Sequence, residues 1–402
     1  MFNLNQFINQ HVTKRQLSMF KPDIDANREA LTEKIAGKSV LVIGGAGSIG
    51  SSFIKAILPF MPSSLVVVDT NENALAELTR DFRSTKGMYV PDDYIPYPMD
   101  FASPVFEKMF RSRKGFDIVG NFSAHKHVRS EKDIYSIEAL LQNNVLHAKL
   151  LLDLLSDYPP EEYFCVSTDK AANPVNIMGA SKRIMEDVIF SYSDKFPVKT
   201  ARFANVAFSN GSLPAGFLAR VQKLQPLGAP SDVRRYFVSP EESGQICLLS
   251  CILGENRAIF FPKLEKAQMM TFDRIARSLL KEQGYEVLEC GSDEEAIDKA
   301  EDLKNGSNLY PVHFSVSDTS GEKPFEEFVT ETETADYDRF TSLGVITGKE
   351  IPDKEEVAKL FQKLNAAFEK EETTKEEVIA ILKAYLPNFE HIETGKSLDS
   401  KM

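Results

Sequence analysis

The stretch SVLVIGGAGSIGSSFIKAIL (39–58), followed by LVVVD (65–69), decides the fold. SVLVI is a short apolar run ending in glycines, the texture of a strand buried on both faces of a parallel sheet. Helical spacing takes over at Ser48, and LVVVD is a second buried run. The alternation continues outward. NENALAELTRDFRS (71–84) is predicted as a helix with Asn71 as its N-cap. YIPYPMD (94–100) and FDIVGNFSA (116–124) are predicted strands on either side of a helix near 103–113. IEALLQNNVLHAKLLLDLLSDY (137–158) reads as one long helix stopped by Pro159 and Pro160. YFCVS (163–167), a helix over 178–194 and VKTARFANV (198–206) complete six strands alternating with helices. That order implies an α/β protein, a doubly wound parallel sheet of the Rossmann type.

Four segments follow. Residues 1–37 form a polar helical arm that packs on the main body or on a second subunit, and 38–207 form the nucleotide-binding sheet. Residues 208–350 are expected mainly as a smaller substrate-binding cap over the sheet's carboxyl edge, and 351–402 as a charged helical tail. EKEETTKEE within the tail reads as a solvated helix face.

Composition narrows the function. The chain has 402 residues, 43% apolar and 26% charged, which is enough for a large core and excludes general disorder. With 47 basic and 59 acidic residues the net charge is −12, the wrong sign for a duplex-binding protein, so nucleic acid is not expected as a partner. Loop amides and a few cations still suffice for a small phosphate-bearing molecule. The four cysteines (Cys165, Cys247, Cys251, Cys290) form no CxxC pair, and Cys165, Cys247 and Cys251, in apolar stretches, are expected to be buried in the packing. MFNLNQFINQHVTKRQ has no apolar signal core, and no stretch approaches 18 apolar residues, so no membrane partner and a cytoplasmic setting are expected.

GGAGSIG (44–50) sits between strand and helix, the position of a dinucleotide fingerprint. Gly44 allows the sharp turn, Gly47 lets backbone approach a pyrophosphate, and Gly50 lets helix and strand pack closely. The amides at the helix start, over Ser48, Ile49 and Gly50, face the phosphate charge. Asp69 ends the second strand 19 residues beyond Gly50, where its carboxylate can accept both adenosine ribose hydroxyls. No Arg or Lys follows in VVVDTNEN, which favours NAD over NADP. The same aspartate would also serve simply to cap the next helix. Asp100 and Phe101 follow the third strand, where an adenine edge is held.

The fifth strand runs into Ser167, Thr168, Asp169 and Lys170. Short-chain dehydrogenases follow the hydroxyl position with Tyr-x-x-x-Lys, in which the lysine holds the nicotinamide ribose and lowers the tyrosine pKa. Lys182 is present here, but the tyrosine position holds Met178, whose thioether cannot exchange a proton. A plain alcohol dehydrogenase is therefore disfavoured. HKH (125–127) has no third ligand nearby, and no metal is expected.

STDKAANPVNIMGASK (167–182), taken with GGAGSIG, AHKHV (124–128), NNV (143–145), RFANVAFSNGS (202–212) and GEKPFEEF (321–328), resembles the nucleotide-sugar 4,6-dehydratases. These are extended short-chain dehydrogenase/reductases of the polysaccharide-biosynthesis group, and the similarity is greatest to UDP-N-acetylglucosamine 4,6-dehydratases of bacterial sugar pathways, including those leading to nonulosonic acids. The resemblance covers about residues 39–345. It implies that hydride leaves C4 of a UDP-sugar for NAD, a base removes the C5 hydrogen, water leaves C6, and hydride returns to C6. The product is a 4-keto-6-deoxy sugar, with the cofactor unchanged.

By the same resemblance Lys170 is the C5 base, and Asp169 serves the C6 hydroxyl and the C4 hydroxyl proton that Met178 cannot take. Thr168 hydrogen-bonds the C4 oxygen and Lys182 orients the nicotinamide ribose. Ala124 lines the cofactor. Lys126, Asn205, Arg235 and Glu322 bind substrate, with Arg235 on the diphosphate. Asn144 supports the active-site backbone. A homodimer or higher homo-oligomer is the usual arrangement. Two rivals stay open: a nucleotide-sugar 4-epimerase, which returns hydride to C4, and a silent NAD-binding sensor. Epimerases of this fold lean on the missing tyrosine, and the intact Asp169–Lys170 pair and Lys182 speak against a sensor.

Overall fold

The computed structural model describes residues 2–127, 131–317, 323 and 325–392. Six strands, β1 (Ser39–Ile43), β2 (Ser64–Asp69), β3 (Asp93–Pro98), β4 (Ile118–Asn121), β5 (Glu162–Thr168) and β6 (Val198–Phe203), lie in the spatial order β3-β2-β1-β4-β5-β6, all parallel. That is the doubly wound order, with its reversal between β1 and β4. β1 and β4–β6 are buried along nearly their whole length, so their Val, Ile, Leu and Phe runs show no alternation.

The sheet does not stop at β6. Ile259–Pro262 adds in parallel to β6, and Leu343–Ile346 and Ala335–Asp336 add antiparallel beyond it, giving nine strands. The Pro240–Leu253 helix also packs against the Ser48–Ile57 helix, where a Cβ on Gly244 would lie 2.1 Å from the Ser52 carbonyl oxygen. The 208–350 stretch is thus divided. Part of it completes the sheet. The rest, with parallel strands Glu286–Glu289, Leu309–Ser315 and Leu227–Pro230 and the Phe272–Glu282 helix, builds a second core around Phe217, Leu227, Ile275, Leu279 and Tyr310.

The N-terminal arm bridges the two cores. Phe7, Ile8 and Val12 sit in the second core, while Phe20, Ile24, Leu31 and Ile35 sit in the first. Between them, Arg15 Nε and Nη2 each reach a Glu242 carboxylate oxygen at 2.7 Å. The tail forms helices Lys354–Phe368 and Lys375–Tyr385, then returns to the body, where the Ile392 amide donates to the Val175 carbonyl at 3.0 Å. All four cysteines are buried and unbridged.

Most helix boundaries follow the sequence. Asn71 caps Glu72–Ser84 by accepting from the Ala74 amide. The predicted helix over 137–158 differs: Ile134–Leu141 and His147–Asp157 are joined by a π-helical turn at Gln142–Leu146. Such turns insert a residue into the helix and often mark functional positions.

Candidate active site

The glycine loop, Asp69 and the turn bearing Thr168, Asp169 and Lys170 lie at the carboxyl ends of the parallel strands. Gly44 leaves β1 at φ +71°, and a Cβ there would lie 2.6 Å from the Ser123 amide nitrogen. A Cβ on Gly50 would lie 2.4 Å from the Gly44 carbonyl oxygen, so this helix reaches its strand only through glycine. No side chain caps the Ser48–Ile57 helix, whose N-terminus at Gly47 leaves its first amides for an anion. Asp69 Oδ2 accepts from the Ala46 amide at 3.0 Å and Oδ1 from the Asn71 amide at 2.9 Å. The carboxylate therefore ties the glycine loop to the end of β2, and each oxygen keeps a further lone pair. Ser48 Oγ accepts from the Asn210 amide at 2.8 Å, which joins the loop to the start of the second core. Asp100 is exposed just past β3, and Phe101 is buried beside it against His147. These features fit a dinucleotide: tight glycine turn, uncapped helix start, carboxylate at the end of β2.

Across the reversal point, Ala124, His125 and Lys126 follow β4. The Asn144 side chain holds this loop: Oδ1 accepts from the His125 amide and Nδ2 donates to the His125 carbonyl, both at 2.9 Å. Asn144 Nδ2 also reaches Ser181 Oγ at 3.0 Å. Asn144 lies in the π-helical turn, which presents its amide to the loop. Desolvation lowers the Lys126 ammonium pKa, although the residue keeps access to solvent.

β5 runs into the candidate reactive turn. Thr168 caps a single 3₁₀ turn, Asp169–Ala171, so that consecutive residues present side chains to one place. Thr168 Oγ1 donates to Asp169 Oδ1 at 2.8 Å, and Lys170 Nζ donates to the same oxygen at 3.1 Å. The Asp169 and Lys170 side chains are only 4% and 19% exposed. The Ile177–Phe190 helix starts against this turn, capped by Asn176, and a Cβ on Gly179 would lie 2.7 Å from the Lys170 carbonyl oxygen. Met178 and Lys182 are both buried on it. Lys182 Nζ donates to the Val166 carbonyl at 3.1 Å, and burial lowers its pKa. The Met178 amide donates to Glu131 Oε1 at 2.9 Å, and His391 of the returning tail lies 3.6 Å from Glu131 Oε2.

The proposed substrate residues divide. Asn205 and Arg235 come together, because Asn205–Val206 pairs in parallel with Phe237–Val238, two residues past Arg235. Arg235 is buried and donates to the Lys323 carbonyl at 2.9 Å. Glu322 lies outside the described residues. Sequence reasoning passed over Glu326, four residues on. Its Oε1 stands 3.8 Å from Lys170 Nζ, its side chain is 4% exposed, and burial together with Asp169 raises its pKa against the opposing pull of Lys170, Arg235 and Lys323. Its membership of the GEKPFEEF block was the available signal.

This sheet with its glycine turn, extra strands and second core defines an extended short-chain dehydrogenase/reductase fold. More particularly, the chain belongs to the polysaccharide biosynthesis protein family, whose model matches residues 40–347. It is 28% identical to an uncharacterized membrane protein, MJ1061, of Methanocaldococcus jannaschii over 318 residues, 77% of this chain and 85% of that one. It is 28% identical to the probable polysaccharide biosynthesis protein EpsC of Bacillus subtilis over 63% of its own length, but spans only 42% of EpsC. A UDP-N-acetylglucosamine 4,6-dehydratase (inverting) of Campylobacter jejuni is 23% identical, with 73% and 82% of the two chains covered.

Among solved structures, Pen from Bacillus thuringiensis superposes with a TM-score of 0.63 at 18% identity, covering 82% of this chain and 98% of Pen. DesIV, a dTDP-glucose 4,6-dehydratase of Streptomyces venezuelae with NAD bound, gives 0.54 at 19% over 72% and 87%. A UDP-N-acetylglucosamine 4-epimerase of Methanobrevibacter ruminantium also gives 0.54, at 16% over 80% and 96%. At these identities the likeness speaks for the fold, and dehydratase and epimerase share it. Among the described residues no helix is long and apolar enough to cross a membrane.

Proposed function

We propose that this protein is an NAD-dependent 4,6-dehydratase of a UDP-N-acetylhexosamine, with UDP-N-acetylglucosamine as the substrate to try first. The observation that carries the reading is the buried Asp169–Lys170 pair at the end of β5, with methionine in the tyrosine position. An elimination needs a carbon base and a group that serves the departing oxygen, and a simple alcohol oxidation needs neither in addition to its tyrosine. The named activity of the Campylobacter relative agrees with this choice.

Gly44, Gly47, Gly50 and the first amides of the Ser48–Ile57 helix hold the dinucleotide's phosphates, Asp69 its adenosine ribose and Lys182 its nicotinamide ribose. A dinucleotide held there would supply the hydride acceptor for C4 and the hydride donor for C6. Thr168 already donates its hydroxyl hydrogen to Asp169, so its oxygen accepts from the C4 hydroxyl and passes that proton to the carboxylate. This route replaces the tyrosine that Met178 is not. Lys170 removes the C5 proton, acidified by the 4-ketone, and Asp169 delivers a proton to the C6 oxygen as it leaves. Asn205 and Arg235 take the diphosphate.

The test is incubation of the purified protein with UDP-N-acetylglucosamine and NAD in deuterated water, followed by proton NMR and mass spectrometry. Loss of one water, a new C6 methyl signal and deuterium at C5 are expected, and Lys170→Ala should abolish all three. Conversion to the C4 epimer without loss of water would establish the 4-epimerase instead. NAD binding with a panel of nucleotide sugars left unchanged would leave the sensor reading.

A further inference from the structure

Residues 172–175 join the two elements that carry the candidate reactive residues. They lead from the Asp169–Ala171 turn to the Ile177–Phe190 helix, which bears Met178 and Lys182. They form neither helix nor strand, so their position depends on what holds them from outside. One hold comes from the segment before β6's last partners: Lys323 Nζ donates to the Asn173 carbonyl, and Asn173 Nδ2 donates to Glu327 Oε2 at 3.2 Å. The other comes from the end of the tail. The Ile392 amide donates to the Val175 carbonyl at 3.0 Å. One residue earlier, His391 Nε2 lies 3.6 Å from Glu131 Oε2, and Glu131 Oε1 accepts from the Met178 amide at 2.9 Å. That amide belongs to the first helical turn, where the backbone offers no partner and a negative charge is favoured. The Glu131 and His391 side chains are 9% and 8% exposed.

The tail is firmly seated before it reaches this point. Leu360, Leu364, Val378, Leu382 and Phe389 are buried in the first core. Lys149 Nζ stands 5.8 Å over the Phe361 ring, and Tyr385 lies against Asp187 of the Ile177–Phe190 helix. Phe389 is the last of these anchors, two residues before His391, with the two rings 6.0 Å apart. The family model matches residues 40–347, and the tail lies beyond it.

We propose that the end of the tail, residues 389–392, is a positioning element of the active site, which acts through Glu131 and Val175 to fix the loop between the Lys170 turn and the Met178 helix. The roles of the groups so positioned rest on the dehydratase reading above. Lys170 stands at the start of this loop, and Met178 and Lys182 stand at its end. A shift of the loop therefore changes the distance from the C5 base to the nicotinamide ribose while the sheet stays in place. Misplacement of that kind acts on the chemical step more than on binding. Phe389, His391, Ile392 and Glu131 act through the backbone of Val175 and Met178, so they are positioning residues.

The experiment compares full-length wild type, Phe389→Ala, Glu131→Ala and Glu131→Gln. It measures kcat and KM for dehydration, NAD affinity by calorimetry, the melting temperature, and hydrogen exchange by mass spectrometry on peptides covering 171–180. Both alanine variants should lose kcat roughly 10- to 100-fold. KM and NAD affinity should stay within about threefold of wild type, the split expected when only the chemical step suffers. Exchange over 171–180 should quicken while that over β1 and β5 stays as in wild type. Glu131→Gln keeps an acceptor for the Met178 amide and should bring kcat back to within about threefold of wild type.

Unchanged exchange over 171–180 in both alanine variants overturns the proposal, whether or not wild type turns over. So does a fall of kcat, NAD affinity and melting temperature together with faster exchange throughout the sheet, which is general destabilisation. A Glu131→Gln variant no better than Glu131→Ala removes Glu131 as the link. If Phe389→Ala does not fold, the two Glu131 variants decide. Where wild type dehydrates UDP-N-acetylglucosamine but the exchange is unmoved, the dehydratase reading stands and the clamp falls. Where exchange quickens locally as expected but wild type dehydrates no nucleotide sugar, the clamp stands and the dehydratase reading falls.

Discussion

Replacing Arg202 by Met tests how the sheet holds its last segment. Arg202 lies on β6 and is fully buried. Its guanidinium spans two carboxylates: Glu186 at 2.9 and 2.8 Å on the Ile177–Phe190 helix, and Glu333 at 2.6 and 2.8 Å on the segment returning to the sheet. Removing it leaves both carboxylates buried. Glu186 retains Ser167 and Arg183, and Glu333 retains Lys349, so the loss is partial. Breaking a buried pair from one side typically destabilises by about 3–5 kcal/mol, and the remaining partners place this case near the lower figure.

The Glu333 carboxyl gives a comparable value. Arg202 and Lys349 hold it down to about 2 from an ordinary 4.5, a difference equivalent to roughly 3 kcal/mol. Because the folded pKa is depressed, that stabilisation is fully present above about pH 4.5 and lost as pH falls towards 2. The chain has no tryptophan, so urea unfolding is best followed by far-ultraviolet circular dichroism. Arg202→Met should lose about 3 kcal/mol at pH 7 and clearly less at pH 3, and adding Glu186→Leu and Glu333→Leu should recover part of the loss. A variant within about 1 kcal/mol of wild type at pH 7 would refute the reasoning, as would an equal loss at both pH values.

Three further outcomes are expected. Asp69→Ala should weaken NAD binding by roughly tenfold in calorimetry and narrow the preference over NADP, since the ribose loses a charged acceptor. Gly50→Ala should abolish NAD binding and lower the melting temperature, because its Cβ meets the Gly44 carbonyl oxygen at 2.4 Å. Asn144→Ala should cost about 2–4 kcal/mol in urea unfolding by orphaning both backbone groups of His125. It should also lower kcat by loosening the Ala124–Lys126 loop.

The six-stranded half of the fold is legible in the sequence because parallel strands buried on both faces announce themselves as apolar runs between glycines and polar turns. The strands at Ile259–Pro262, Leu343–Ile346 and Ala335–Asp336 are two to four residues long and follow no regular alternation, so only pairing with β6 and one another reveals them. The Pro240–Leu253 helix is buried over most of its surface and carries no amphipathic stripe to orient it. The π-helical turn leaves no periodic mark in QNNVL, yet it explains why an asparagine pair interrupts an apolar helix. The placement of Thr168, Asp169, Lys170, Met178 and Lys182 beside one another can be read from the sequence because the fifth strand and the helix after it bring them to one sheet edge. That of Glu326 cannot, because a charged loop reads as solvated until distant chain buries it.

The buried Arg202 has a consequence for the order in which the molecule comes into being. On a ribosome, β6 emerges well before Glu333, 131 residues later, and before the strands that cover its outer edge. For that interval a growing chain carries an open sheet edge and a guanidinium with half its counter-charge. The interior around Arg202 is therefore fully paired only once the segment bearing Phe328 and Glu333 has been made, so the Asp169–Ala171 turn beside it is enclosed late in synthesis.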